Sequence, residues 1–286
     1  MAERIDEIQG GIYVVEPRPT VEVHLVNGSE TGPVLCGPRG APVGDFLRVL
    51  ADPQGMLDGA PVIGAVVNGE LRELTFPIKM DARVRPVTMG EPDGMLIYRR
   101  SLTFLLDAAF LDLYPEAILT IDHSVASGGY YCQVSGRPPL SEEELTRLEA
   151  HMRSLVEADL PFTKQEVPLA QAIEYFKARN YQDKVRLLAH RRKDYLTLYQ
   201  LGEHLDYHHG YMVPSTGYLR WFALALTNGG FTLRFPRQHR PTELLPLPQY
   251  PKLLATFRQY GDWLARLGIA TAGALAMAAN ALATVV

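Results

Sequence analysis

The chain has 286 residues, of which 47% are hydrophobic and 21% charged, and its formal net charge is −4 at pH 7. This composition excludes a disordered, collagen-like or low-complexity protein. The acidic balance argues against a generally basic protein that coats nucleic acids. At roughly 100–200 residues per domain, the length predicts two domains.

The charge is unevenly distributed along the chain. The segment from Lys184 to Arg240 contains nine Lys or Arg against three Asp or Glu, a local excess of positive charge. A solvated basic surface is the simpler interpretation, and a local face that binds polyanions is the alternative.

The cysteine content and the sequences at the two termini indicate the cellular compartment of the protein. Two cysteines, Cys36 and Cys132, cannot form a disulfide framework or a Cys-based zinc cluster. The first ten residues lack the apolar region of a signal peptide, so a cytoplasmic protein is expected. Leu267–Val286 is uncharged and has the length of a membrane span, but it consists mostly of Ala, Gly and Thr. Because these residues insert poorly, a packing helix is favoured over a membrane anchor.

Residues 20–90 predict a small unit of strands and one helix. Val21, Val23 and Leu25 alternate with polar residues, which indicates a strand, and 43–50 suits a short helix. The dipeptide 68–69, Asn-Gly, separates two further strand-like runs and favours a type I′ hairpin. Together these elements predict a β-grasp-like module.

The next stretch, 89–95, is rich in Gly, Pro and Asp and predicts a domain boundary. A helix with one broad apolar face is expected from Ser101 to Tyr114, where Pro115 ends it. Two strands are expected near 118–122 and 130–134.

The later elements complete an α+β pattern. Ser141 and Glu144 form a capping box that opens a helix, and Pro168 suits the first turn of another. Strands and turns are expected over 211–235, and helices after the Pro-rich stretch 241–251.

The sequence contains none of the common nucleotide or nucleophile loops, since G-x-x-x-x-G-K-[ST], G-x-G-x-x-G and G-x-S-x-G do not occur. The segment LGEHLDYHHGYM places His204 and His208 four residues apart with Asp206 nearby, a spacing that could serve a metal on a helix. Gly202 and Gly210 bracket it and argue against that helix, so packing or solvated histidines are favoured and no metal is expected.

Two weaker patterns concern catalysis and RNA. Asp122, His123 and Ser124 are adjacent on a predicted strand and point alternately to opposite faces, so a structural hydrogen bond is favoured over a catalytic triad. Aromatic and basic residues between Tyr195 and Arg234 could stack bases and hold phosphates, or form the core of a sheet.

Several strings occur in a fixed order: RRSLTFLLDAA, IDHSVASGGYYCQV, LEAHMRSLVEADLPF, DKVRLL, DYHHGYMVPSTGYLRWF and LRFP. In this order they resemble the N-terminal half of bacterial uridine kinase-like proteins of the phosphoribulokinase/uridine kinase family, over about residues 15–270. The resemblance implies a TGS domain, then a domain similar to the second domain of threonyl-tRNA synthetases. A P-loop kinase domain would follow, but the sequence lacks its loop.

The second domain of threonyl-tRNA synthetases is an editing domain, with an H-x-x-x-H helix and a C-x-x-x-H segment in its hydrolytic pocket. By the matching strings, these four positions fall here on Arg100, Phe104, His208 and Met212. Only His208 can act as a base, because Phe and Met exchange no proton and Arg stays charged. Two other pocket positions, Lys184 and Asp206, are kept.

The resemblance therefore implies an editing-like cleft that has lost its hydrolytic residues and suits a phosphate or carboxylate. A buried ion-pair network of Arg100, Lys184 and Asp206 is the alternative interpretation. No catalytic residue is expected. The candidate ligand-binding residues of the cleft are Arg100, His123, Lys184, Asp206, His208 and Tyr211.

These expectations define a non-catalytic regulatory or ligand-binding module of a nucleoside kinase. Its expected partners are a nucleotide, a small anionic ligand or RNA, together with a kinase domain in cis or in trans. No cofactor is expected in this chain, since ATP and Mg²⁺ would belong to the missing kinase domain. The alternative function is a trans-editing hydrolase of mischarged tRNA.

The fold expected from the resemblance is α+β, with four segments. These are an N-terminal extension over 1–19, a TGS-like β-grasp domain over 20–90, a threonyl-tRNA synthetase editing-domain-like α+β domain over 95–240, and a Pro-rich linker with C-terminal helices over 241–286.

Overall fold

The computed structural model describes residues 5–8, 12–14, 16, 18–27, 30–125, 128–179, 181–227, 229–246, 251–269, 274–275 and 277–279. The chain forms two compact units. The first comprises 1–101, 211–214 and 237–243, and the second comprises 102–210, 215–236 and 244–286. Sheets and helices occur in both units, so the predicted α+β class is confirmed. The four predicted segment bounds remain a prediction.

The first unit is built around a mixed sheet. Its elements are β1 (Ile5–Ile8), β2 (Ile12–Val14), β3 (Thr20–Asn27), β4 (Glu30–Pro38), α1 (Val43–Arg48), β5 (Met56–Leu57), β6 (Ala60–Val67), β7 (Glu70–Arg72), β8 (Ala82–Thr88) and the first part of α2 (Pro92–Leu113). The sheet order is β4-β3-β8-β6-β5, with β7 paired to β6. Strands β3 and β8 are parallel, whereas β4 pairs antiparallel with β3 and β6 with β8. Strands β1 and β2 form a separate antiparallel pair.

The local predictions for this unit are confirmed. Val21, Val23 and Leu25 are buried on one face of β3, and α1 begins at Val43. The turn between β6 and β7 has positive φ angles at Asn68 (51°) and Gly69 (86°). Both central residues of a type I′ turn need positive φ, which explains why Asn-Gly is used there.

Helix α2 begins at Pro92, so the predicted start at Ser101 is wrong. Proline is tolerated at the first helical position because its missing N–H would have no partner there. Gly94 serves packing, since a Cβ atom at this position would lie 1.9 Å from the carbonyl oxygen of Thr88. The run that was expected to be a boundary is therefore largely the first turn of a helix.

The second unit contains two antiparallel sheets and the remaining helices. Its elements are the rest of α2, β9 (Ile118–Ser124), β10 (Gly129–Ser135), α3 (Glu142–Glu157), β11 (Thr163–Pro168), α4 (Leu169–Ala178), α5 (Gln182–Leu188), β12 (Tyr195–Leu201), β13 (His204–Asp206), a 3₁₀ turn (Thr216–Tyr218), β14 (Ala223–Thr227), β15 (Gly230–Arg234) and α6 (Pro251–Arg266). The sheet orders are β14-β15-β10-β9 and β11-β12-β13.

The predicted strands β9 and β10 and the capping box of α3 are confirmed. The Ser141 hydroxyl accepts a hydrogen bond from the Glu144 amide at 3.2 Å, and the Glu144 carboxylate accepts one from the Ser141 amide at 2.9 Å. Two amides that the helix cannot pair are thereby satisfied, which fixes the start of α3.

A small apolar core supports the end of the second sheet. It consists of buried side chains from α4, α5 and β12, namely Ala172, Phe176, Leu188, Leu196 and Leu198. Full burial of each large apolar side chain contributes roughly 1.5–3 kcal/mol. This core fixes α5 against β12 and thereby sets the position of the residues on the first turn of α5.

The C-terminal helix α6 agrees with the predicted helical spacing. Most of the segment predicted to pack, Leu267–Val286, lies outside the described residues. Within the part of the chain that is described, no helix combines the length and the apolar character needed to cross a bilayer.

Candidate functional site

Three of the predicted cleft residues meet in the second unit. Lys184 on the first turn of α5 places its Nζ 2.7 Å from Oδ1 of Asp206, the last residue of β13. The same oxygen accepts the backbone N–H of Tyr207 at 2.6 Å. His208 follows directly, with its Nε2 3.5 Å from Oδ2 of Asp206. Lys184, Asp206 and His208 are called the central cluster below.

The central cluster is walled by aromatic rings. The Lys184 ammonium lies 4.4 Å from the centroid of the Tyr181 ring and 5.4 Å from that of Phe176. The His208 and Phe104 rings are 4.9 Å apart between centroids. Aromatic faces attract cations and exclude water, so the ion pair gains strength while its solvation is reduced. Asp206 is only 7% exposed, which makes the carboxylate dependent on these partners.

Helix α2 brings a further carboxyl to the cluster. Asp107 is partly buried one turn after Phe104, and burial raises its pKa to about 6. Asp206 also raises that pKa, whereas Lys184 and His204 lower it. Sequence reasoning missed Asp107, although its i+3 spacing from Phe104 was a signal that both lie on one face of the helix.

A second acidic residue of α2 pairs with two histidines. Asp112 accepts a hydrogen bond from Nε2 of His151 and another from Nε2 of His204, both at 2.8 Å. Burial would raise the pKa of Asp112, but the two histidine contacts outweigh it and lower the pKa. His204 lies on a strand and not on a helix, so the helical metal arrangement with His208 does not form. Among the described residues, no group of three or more potential ligands could hold a metal ion.

Arg100 and Tyr211 lie together in the first unit. The Arg100 guanidinium donates to the carbonyl oxygen of Tyr211 at 2.6 Å, and Arg72 donates to the Tyr211 hydroxyl at 3.1 Å. The next residue, Met212, is buried and its amide donates to the buried Glu73 carboxylate at 2.9 Å. Arg100 and Met212, which by the resemblance stand where the editing domain has hydrolytic residues, therefore take part in holding a backbone segment.

His123 lies on β9, as predicted. Its Nδ1 is 3.3 Å from an Asp122 carboxylate oxygen, and its ring centroid is 5.4 Å from that of Tyr131. These contacts are made within the sheet. The assignment of His123 to the cleft remains a prediction.

A cavity of about 670 Å³ lies elsewhere in the second unit, between α3 and β14. Glu149, Arg153 and Leu226 are among its lining residues, and the central cluster is not. Glu149 already accepts the backbone N–H of Leu224 at 2.7 Å. Glu149 and Arg153 also form an ion pair at this cavity, at 2.8 Å. Asp107, whose pKa is raised, interacts electrostatically with Lys184 and Asp206 of the central cluster instead.

The chain is similar to threonine–tRNA ligases. It is 34% identical over 172 residues to the enzyme of Thermotoga neapolitana, which covers 59% of this chain and 27% of the relative. It is 33% identical over 169 residues to that of Desulfosudis oleivorans, covering 59% and 26%. It is 31% identical over 211 residues to that of Geobacter sp. (strain M21), covering 74% and 32%. No protein-family model matches the chain.

These relatives correct the assignment drawn from the ordered strings. The chain spans about a quarter to a third of the length of the curated relatives it matches. They are threonine–tRNA ligases, so the resemblance to uridine kinase-like proteins is wrong, and with it the function as a nucleoside kinase module. A kinase domain as partner has no support either. The predicted relation to threonyl-tRNA synthetases agrees with these relatives.

Proposed function

We propose that this chain is a threonyl-tRNA synthetase-related protein that binds the aminoacylated end of tRNA and hydrolyses mischarged tRNA in trans. The observation that carries the proposal is the central cluster, in which His208 and Lys184 share the Asp206 carboxylate. The similarity to threonine–tRNA ligases supports tRNA as the partner.

The roles follow from the side chains. Ester hydrolysis needs a base that removes a proton from water and a group that stabilises the oxyanion. His208 is the base, and the Asp206 carboxylate orients its ring and stabilises the imidazolium that forms. Lys184 supplies the positive charge for the oxyanion or a neighbouring phosphate. The roles of Arg100 and Tyr211 remain those of proposed ligand-binding residues.

At the other positions that match the editing-domain motif, this chain has residues that cannot act as a base, so the proposed chemistry depends on the central cluster. Phe104 packs against His208 and cannot exchange a proton, and Met212 is buried. His208 is thus the base on which hydrolysis depends. A single base held beside a carboxylate is enough for general-base catalysis, which contributes typically 10²–10⁴-fold.

The first unit is proposed to be a TGS-like β-grasp domain. Support comes from the parallel pairing of β3 with β8, flanked by β4 on one side and β6 on the other, with α1 between the hairpin β3–β4 and β6. This order is that of a small mixed sheet with a helix crossing over it. The unit would contribute RNA contacts outside the hydrolytic cluster.

A deacylation assay tests the function. Ser-tRNA(Thr) is incubated with the protein, with His208→Ala and with His209→Ala, and the loss of esterified serine is measured. We expect hydrolysis above the buffer rate for the wild type and a loss of roughly 100-fold or more in His208→Ala. The neighbouring His209 is exposed and serves as the matched control, which keeps the wild-type rate. A wild-type rate equal to that of buffer contradicts the proposal.

A further inference from the structure

The loop 189–194, which connects α5 to β12, carries three cationic residues in succession, Arg191, Arg192 and Lys193. It contains one acidic residue, Asp194. Arg192 and Lys193 are exposed, whereas Arg191 is partly buried. The loop therefore presents a concentrated positive charge to solvent, within the basic segment that the sequence shows.

The loop is fixed at both ends by hydrogen bonds. The Arg191 guanidinium donates through Nε to the carbonyl oxygen of Tyr195 at 3.0 Å and through Nη1 to the Tyr207 hydroxyl at 3.4 Å. The carbonyl oxygen of Asp194 accepts the amide of Leu169, the first residue of α4, at 2.8 Å. Arg191 thus serves the fold, and the two exposed cations of the loop are held on a preorganised backbone. A preorganised site binds at a lower entropic cost.

An exposed aromatic ring adjoins these cations. Tyr195, the first residue of β12, is 38% exposed, while Leu196 and Leu198 of the same strand are buried. The Lys193 ammonium lies 5.5 Å from the centroid of the Tyr195 ring and 3.5 Å from its hydroxyl oxygen. An accessible ring beside cations is the combination that stacks a base and holds phosphates in single-stranded RNA.

The loop lies next to the central cluster. Helix α5 carries Lys184 on its first turn and leads into the loop at its other end, and its seven residues cover about 10 Å. Tyr207, whose hydroxyl contacts Arg191, directly follows Asp206 of the cluster. A polyanionic chain that ends at the cluster can therefore reach the loop within a few of its units.

We propose that the loop 189–194 and Tyr195 bind the single-stranded 3′ segment of tRNA, with Arg192 and Lys193 on its phosphates and the Tyr195 ring against a base. The inference rests on the proposed function, because the aminoacylated end is taken to lie at the central cluster. A single strand is favoured over a duplex, since paired bases are already stacked on one another and offer no face to the ring.

The test measures the Kd of two labelled tRNA(Thr) transcripts, one complete and one without its last four nucleotides, over a series of salt concentrations. Wild type is compared with the double variants Arg192→Ala/Lys193→Ala and Lys252→Ala/Arg266→Ala. Lys252 and Arg266 are exposed on α6 in the second unit, so the second variant is a control with the same change in net charge.

For the complete transcript, we expect Arg192→Ala/Lys193→Ala to bind roughly tenfold more weakly than wild type, because two charged contacts to phosphates are lost. The slope of log Kd against log salt should also fall by about 1.4, since each phosphate contact on a single strand contributes about 0.7. For the shortened transcript, this variant and wild type should bind equally well. The α6 control should keep the wild-type Kd and slope with both transcripts.

A second pair of variants isolates the ring. Tyr195→Leu should bind the complete transcript roughly tenfold more weakly than wild type, because an aliphatic side chain does not stack on a base. Tyr195→Phe should bind as wild type does, since it keeps the ring and loses only the hydroxyl. Equal Kd values for Tyr195→Leu and Tyr195→Phe would contradict stacking on this ring.

The outcomes separate the two proposals. Equal binding of the complete transcript by wild type and Arg192→Ala/Lys193→Ala overturns the site on the loop, whatever the deacylation assay gives. An equal loss with both transcripts also overturns it, because the loop would then contact the body of the tRNA. The expected pattern without any deacylation supports the site and contradicts the hydrolase. No binding of the complete transcript by wild type overturns both.

Discussion

Two regions of the molecule hold buried charge and use it differently. In the first unit, Arg100 and Glu73 each bind a backbone group of the segment Tyr211–Val213. In the second unit, Lys184 pairs with Asp206, and burial together with Asp206 raises the pKa of Asp107. The first arrangement completes the hydrogen bonding of a chain segment, whereas the second leaves a carboxyl whose charge depends on pH.

This difference distinguishes charged groups that stabilise the fold from a carboxyl that could take part in chemistry. A charged group that binds a buried amide or carbonyl stabilises the fold through that hydrogen bond. A carboxyl with a pKa of about 6 changes its charge near neutral pH, so it can exchange a proton there. Burial alone therefore does not identify a functional residue, whereas burial beside a second carboxyl makes Asp107 a candidate.

The largest expected effect is on the architecture of the first unit. Glu73→Leu removes the acceptor for the buried amide of Met212 and should lower the free energy of unfolding by about 3 kcal/mol, because that amide then has no partner. Urea denaturation measures the change. Glu73→Gln retains an acceptor and should cost less than about 1 kcal/mol. Equal losses in the two variants would contradict the assigned hydrogen bond.

A smaller effect of opposite sign is expected at the central cluster. The pKa of Asp107 is higher in the folded protein than its ordinary value, so its contribution to stability is fully present at low pH and is lost as pH rises to about 6 and above. Asp107→Asn should match wild type near pH 4 and exceed it by about 2 kcal/mol above pH 7, a figure that allows for partial exposure.

Denaturation curves from pH 4 to pH 8 measure this difference at constant ionic strength. Asp183→Asn on the exposed side of α5 should follow wild type throughout. A pH-independent difference between Asp107→Asn and wild type would contradict a raised pKa of Asp107 in the folded protein. The second unit would then, like the first, hold its buried charge without a charge change near neutral pH.

The sequence predicts elements whose causes are local. The hairpin at Asn68-Gly69 and the capping box at Ser141 depend on neighbours along the chain, and both form as expected. The start of α2 was not predicted because Gly94 is required by its close packing against the Thr88 backbone. That contact exists only in the folded protein. A run that combines Gly, Pro and Asp is more often a turn, so the sequence predicted a boundary where the helix begins.

The candidate site also depends on contacts between residues that are distant in sequence, which local patterns do not predict. Lys184 and Asp206 are 22 residues apart, and only the matching strings indicated that they belong to one pocket. Asp107 is one acidic residue on a long helix, and its partner Asp206 lies almost 100 residues later. The family predicted from the strings was wrong, since the relatives that the chain matches are threonine–tRNA ligases.

The smallest expected effect tests whether the first unit holds its segment as one network. Ser101 donates to the carbonyl oxygen of Ile97 at 2.9 Å and accepts the amide of Val213 at 3.0 Å. Ser101→Ala should lower the free energy of unfolding by about 1 kcal/mol, since one buried amide loses its acceptor. In a double-mutant cycle with Glu73→Leu, a shared network gives a coupling of at least roughly 0.5 kcal/mol, whereas strictly additive losses would mean that the two hydrogen bonds act separately. No such coupling is expected between Ser101→Ala and Asp107→Asn, because the hydroxyl stabilises backbone and the carboxyl responds to charge.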